Sequence, residues 1–181
     1  MNRLPVVIDL ETLGTAHDSV ILSIGAVEFD PSEGTLGREF YVVINTDSCL
    51  NYGRKIDTST VEWWNKQSEE AKEILIQAED SEVSLPNALN QFAEWYAPNA
   101  GETVWGCGSD FDNVLLASSY AAVEGDTPWK FFNNRCYRTM KGVFANVPKP
   151  KRQGTHHNAL DDAKFEAQHL LKIYEHIRGK M

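Results

Sequence analysis

Cysteine, positive charge and long apolar runs are all scarce in this chain, and each scarcity removes a class of protein. The three cysteines, Cys49, Cys107 and Cys136, are far apart with no Cys-x-x-Cys, which excludes a disulfide framework and points to a reducing compartment. A structural zinc site built on His156, His157 and Cys107 would lack any usual ligand spacing. Nowhere do eighteen apolar residues follow one another, and Met1 to Pro5 runs straight into a strand-like segment without a signal-peptide core. A cytoplasmic chain with no membrane contact is expected. There is no repeat, low-complexity tract or linker, so 181 residues read as a single domain over 1–181.

Positive charge is short as well: 17 Lys and Arg against 26 Asp and Glu leave a net charge of −9. That argues against a protein gripping nucleic acid by blanket phosphate neutralisation. It leaves room for an enzyme in which divalent cations neutralise a carboxylate cluster and a few basic residues line one edge. The one dense basic stretch is Lys149-Pro150-Lys151-Arg152.

What is present is an α/β pattern. Pro5-Val6-Val7-Ile8 is a continuous apolar run that predicts a central strand covered on both faces. Val20 to Phe29 and Phe40 to Ile44 predict two more strands, joined across Asp30-Pro31-Ser32-Glu33-Gly34 as a hairpin. Helical spacing follows around Val61 to Trp64, from Glu69 to Gln77, and after Ser84 with Leu89, Phe92, Ala93 and Tyr96 recurring at three and four. Thr103 to Trp105 is a short strand and Asp112 to Ala122 a helix. A last helix, from about Asn158 to Ile177, carries Leu160, Ala163, Ala167, Leu170, Leu171, Tyr174 and Ile177 on one stripe. Strands, helices, one more strand and helices again predict a mixed central β-sheet flanked by helices.

Three places carry candidate chemistry. Asp9 and Glu11 stand two apart at the end of the first strand, so strand periodicity turns both to one face about 7 Å apart. Acids closing a doubly buried strand are costly unless a cation sits between them. In Trp105-Gly106-Cys107-Gly108-Ser109-Asp110-Phe111-Asp112-Asn113, glycines permit close backbone approach at a helix start, with one acid more than capping requires. In His156-His157-Asn158-Ala159-Leu160-Asp161-Asp162, Asp162 lies off the apolar stripe and faces water or a site, and a loop histidine before it has the pKa of a general base.

Taken in order, Asp9-Leu10-Glu11-Thr12, Phe111-Asp112 and His157-x-x-x-x-Asp162 resemble the three exonuclease motifs of the DEDDh group. That group shares a superfamily, of ribonuclease H-like fold, with the polymerase III proofreading subunit and RNase T. The likeness runs from Val7 to about Leu171. Within it, Ile8 to Thr15, Ile21 to Val27, Glu62-Trp63-Trp64 and Trp105 to Val114 are most similar to phage exonucleases of the exonuclease A and exodeoxyribonuclease VIII-like type and to bacterial RNase AS-type enzymes. Cys107 stands where relatives commonly have Asn. The family motif's acid follows the Phe, which selects Asp112 over Asp110, and the family spacing of five, with Ala163 after the acid, selects His157 with Asp162 over His156 with Asp161.

The resemblance implies a metal-dependent 3′-5′ exonuclease acting on single-stranded DNA or RNA 3′ ends, DNA slightly ahead, in a bacterial or phage-infected cell. By resemblance, Asp9, Glu11, Asp112 and Asp162 hold two divalent cations, Mg²⁺ or Mn²⁺, and His157 is the general base. Thr12 and Leu13 are placed for the terminal sugar and base. Trp63 or Trp64 is a stacking candidate for a base, and Lys149, Lys151 and Arg152 are candidates for the upstream phosphate. A catalytically inactive nucleic-acid-binding module is the competing reading, and intact acids argue against it. Oligomeric state is left open, a homodimer included.

Overall fold

The computed structural model of the chain describes residues 3–108 and 110–179; Met1, Asn2, Lys180, Met181 and Ser109, quoted above within a motif, lie outside the described residues. Their elements run β1 (Val6–Thr12), β2 (Ile21–Asp30), β3 (Thr35–Val43), α1 (Thr46–Asn51), α2 (Thr58–Trp64), α3 (Glu69–Asp80), α4 (Leu85–Tyr96), β4 (Val104–Gly106), α5 (Asp112–Ala122), β5 (Asn134–Cys136), α6 (Tyr137–Val143) and α7 (Ala159–Arg178). The sheet order is β3-β2-β1-β4-β5. The first three strands are antiparallel neighbours, while β4 lies parallel to β1 and β5 parallel to β4. The mixed sheet and central β1 match the pattern expected from the sequence.

The hairpin between β2 and β3 turns where expected, with Asp30 accepting bonds from the Ser32 and Glu33 backbone N–H groups. Three elements went unexpected: α1, β5 and α6. Each is short, and β5 has little apolar content to mark it: Asn134, Arg135 and Cys136 are held by pairing to β4 and not by a buried face.

Helices cover both faces of the sheet, and strand parity decides what each face receives. Val6, Ile8 and Leu10 point into the larger core with Leu89, Phe92 and Leu116, whereas Val7 points the other way, into a core with Phe29, Trp105, Ala163, Ala167 and Leu170. Asp9 and Glu11 share the parity of Val7 and so look toward α7. At Gly25, directly opposite Asp9 on β2, a Cβ would come 2.1 Å from the Ala159 carbonyl carbon. Only glycine lets the first turn of α7 land on the sheet beside Asp9. No helix among the described residues is long and apolar enough to cross a membrane.

Candidate active site

The landing of α7 brings its first turn over the acids of β1. Asn158 caps the helix, accepting from Leu160 and Asp161 N–H, so neither Asp161 nor Asp162 is needed as a cap. Asp161 turns back to the Thr155 N–H at 2.8 Å. Asp162 accepts the His157 N–H at 2.9 Å and is ion-paired with Arg152. Oxygens of Asp9, Glu11 and Asp162 lie within 4.8 Å of one another, as do ligand atoms of His156, His157 and Asp162. Among the described residues Cys107 enters no such group, so the zinc arrangement does not form.

Asp112 arrives at the start of α5, after β4, the neighbour of β1 on the side away from β2. It is 1% exposed, while Asp110 is exposed. At Gly106 a Cβ would sit 2.9 Å from the Asp112 Cβ, so glycine lets the start of α5 close on β4. The Asp112 carboxylate then reaches back, accepting from Cys107 N–H at 2.6 Å and Leu10 N–H at 3.3 Å. It ties the β4 exit to β1 and caps nothing.

The electrostatics are those of a cation site. Burial first, then Asp112, Glu166, Glu11 and Asp162, hold the Asp9 carboxyl well above its usual range. Burial, followed by Asp162 and Asp112, pushes Glu11 up to about 8. Asp112 rises to about 6, because burial outweighs its three backbone N–H bonds. Carboxylates packed this way without enough donors are stabilised by oxygen-seeking divalent ions, and the all-oxygen set suits a hard cation.

His157 stands at the rim with a left-handed backbone (φ 65°). Its ring meets Trp63 edge-on at 4.8 Å between centroids and His156 at 3.9 Å. Burial, then the neighbouring His156, lowers its pKa, which keeps the imidazole neutral and able to take a proton.

Asp9, Glu11, His156, His157 and Asp162 line one cleft of about 710 Å³, together with Thr12, Thr15, Ser59, Thr60, Trp63, Trp64, Lys149 and Arg152; buried Asp112 is not part of that lining. Several sequence candidates separate here. Trp63 is 40% exposed, whereas Trp64 is 1% exposed and donates its indole N–H to the Thr12 carbonyl. Trp64 is therefore a buried wall and Trp63 is the ring open to a ligand. Leu13 is packed in the larger core, and exposed Lys151 is not in the cleft lining. Three charged lining residues were missed: Arg138 and Lys141 of α6, and Glu166 of α7. The first two share an i, i+3 face of an unforeseen helix. Glu166 is one turn past Asp162 on the same face, a spacing visible in the sequence.

A family model described as the 3′-5′ exoribonuclease Rv2179c-like domain matches residues 5–174. An exodeoxyribonuclease of Enterobacteria phage T4 is 28% identical over 156 residues, covering 74% of this chain and 68% of the relative. The nuclease domain of 3′hExo, a DEDDh family member solved with rAMP, superposes with a TM-score of 0.65 at 14% identity, over 95% of this chain and 92% of its own. Exonuclease X in complex with 5′ overhanging duplex DNA gives 0.62 at 15% identity, over 96% and 92%. At those identities the two structures speak for the fold, which is that of the DEDDh, ribonuclease H-like exonucleases.

Proposed function

The chain belongs to the Rv2179c-like 3′-5′ exoribonuclease domain family, and from that premise we propose that it is a two-cation enzyme removing 5′-nucleotides from single-stranded 3′ ends. That it is a 3′-5′ exonuclease requiring divalent metal follows from the family; cation number and identity, substrate sugar and residue roles are the proposal. The convergence of Asp9, Glu11, Asp162 and His157 on one cleft, with buried Asp112 bonded to the Leu10 N–H beside Asp9, carries it.

Asp9, Glu11 and Asp162 would hold one ion, Mg²⁺ or Mn²⁺, and Asp9 with Asp112 would face the other. Bound there, such ions supply Lewis acidity, making water a stronger acid and offsetting charge that develops on the phosphodiester. Neutral His157 takes the proton from the attacking water, and Asp162, bonded to the His157 backbone, fixes where that ring stands. Trp63 stacks on the terminal base region and Thr12 lines the floor beside it. Arg138, Lys141, Lys149 and Arg152, all in the cleft lining, hold upstream phosphates.

DNA is the first substrate we assign, supported by the phage T4 exodeoxyribonuclease, and with it the cytoplasm of a bacterial or phage-infected cell. RNA is the second reading, favoured by the description of the matching family. Purified protein with Mn²⁺ and 5′-labelled single-stranded DNA and RNA of one sequence tests both. Stepwise shortening of DNA at the higher rate is expected, with Asp9→Asn inactive. Faster loss of RNA transfers the assignment to RNA. Metal-independent cleavage, or an active Asp9→Asn, overturns the reading.

A further inference from the structure

We propose that Glu166 is a fifth carboxylate of the metal centre and, with Asp9 and Asp112, forms the second cation position. The inference rests on the metal-nuclease reading above. Asp9, Glu11 and Asp162 already make a compact oxygen triad. Asp112 and Glu166 stand outside that triad and do not close to its 4.8 Å spacing; Glu166 lines the cleft beside Asp9, and Asp112 is bonded to the Leu10 N–H next to Asp9 and to the N–H of Cys107, whose thiol neighbours Glu166. Glu166 reaches the cleft because α7 carries it one turn beyond Asp162, on the helix face laid against the sheet.

Its surroundings are wrong for a structural residue. Glu166 is 6% exposed and its Oε2 is buried with no hydrogen-bond donor. The neighbouring Cys107 thiol is a weak donor at best. Among the described residues no Lys or Arg makes an ion pair with it: Lys141 attracts it only from a distance, and Arg152 is engaged by Asp162. Leaving a carboxylate oxygen buried and undonated is destabilising, and an apolar side chain would serve the core better. A divalent ion shared with Asp9 and Asp112 supplies what the protein withholds. That buried, orphaned oxygen, on a side chain that lines the cleft beside the triad, is the sign that this acid is a ligand.

Mn²⁺ binding to the full chain without nucleic acid, followed by electron paramagnetic resonance of the free ion, tests the assignment. Wild type should take two ions. E166Q keeps the shape, so folding should hold, as circular dichroism will check; its second ion should weaken at least tenfold while the first stays within about twofold. E166D, which keeps the charge on a shorter arm, should fall between. Asp162→Asn should instead weaken the first ion. The gain in Tm on adding Mn²⁺ should shrink in E166Q relative to wild type. A wild-type chain that takes one ion, or an E166Q or E166D chain that binds both as wild type does, overturns the role of Glu166. A wild-type chain that neither binds Mn²⁺ nor hydrolyses an oligonucleotide overturns the underlying reading instead.

Discussion

Two buried carboxylate sites lie three residues apart along the β1–β2 ribbon, on opposite faces, and they are built to opposite rules. Glu28, across from Val6, is 4% exposed. It accepts from the Arg38 backbone N–H at 2.9 Å, from the Arg38 guanidinium and from Asn99 Nδ2. Burial pushes its pKa up, but the Arg38 and Asn99 bonds outweigh burial and leave the pKa below its usual range. The Asp9 site has burial of the same order and too few donors, so its acids are held up. A structural carboxylate brings its counter-charge in the chain; a functional one leaves that place for something else.

The largest consequence is a double dissociation. Asp9→Asn should lower kcat by about 10³-fold or more, because it removes the carboxylate shared by both proposed ions. Its metal-free Tm should hold or rise, since a buried repulsion goes. Glu28→Ala should do the reverse: activity at 25 °C within about twofold, but stability down about 2–3 kcal/mol, because buried Asn99 and the Arg38 N–H lose their acceptor. Denaturation in EDTA and initial rates in Mn²⁺ measure both. A Glu28 variant that loses activity while folded would abolish the division between the sites.

His157→Gln should cost about 10²- to 10⁴-fold in kcat, the usual range for a lost general base. Mn²⁺ affinity without substrate should stay within about twofold, because its backbone bond to Asp162 survives. Steady-state rates beside a metal titration read the two separately. A variant whose rate loss is recovered entirely by more Mn²⁺ would make His157 a support for Asp162 and not a base.

A gentler test uses pH. In the folded, metal-free chain Glu11 and Glu166 titrate at about 8 and Asp112 at about 6, against ~4 in an unfolded chain. Between about pH 4 and 8 the fold therefore holds protons that the unfolded chain has released, so stability falls as pH rises through that window. The Tm in EDTA should drop from pH 5 to pH 8, and Mn²⁺ should flatten the slope by replacing the protons. Glu28 has the opposite sign: its contribution is complete above the usual carboxylate range and is lost only below it. A flat Tm in EDTA would show that donors satisfy the acids after all.

Legibility followed the same division. The β1 apolar run, the hairpin turn and the α7 stripe are local patterns, and the sheet formed around them. That Asp9, Glu11, Asp162 and His157 would gather in one cleft was legible because motif order carries information that no single pair does. Glu166 was not, since a lone Glu on an amphipathic helix reads as solvated until its face is known to meet Asp9. β5 and α6 were missed for a related reason: Asn134–Cys136 is a strand only because β4 offers an edge. Arg138 and Lys141 went with them.

The adjacent tryptophans repeat the contrast on a smaller scale. Trp64 has its indole N–H placed on Thr12 and its ring in the core, so Trp64→Ala should cost about 3–5 kcal/mol of stability. Trp63, on the exposed side of α2, should cost little stability when changed to Ala. Its loss should instead raise KM for single-stranded DNA about tenfold, as expected for one base stack of ~1–3 kcal/mol. Because its ring also packs edge-on against His157, a change in kcat of a few fold would accompany that rise, and Trp63→Phe should restore most of both. If Trp63→Ala left KM unchanged and lowered only kcat, the ring would be a prop for His157 and the exposed wall of the cleft would not hold a base.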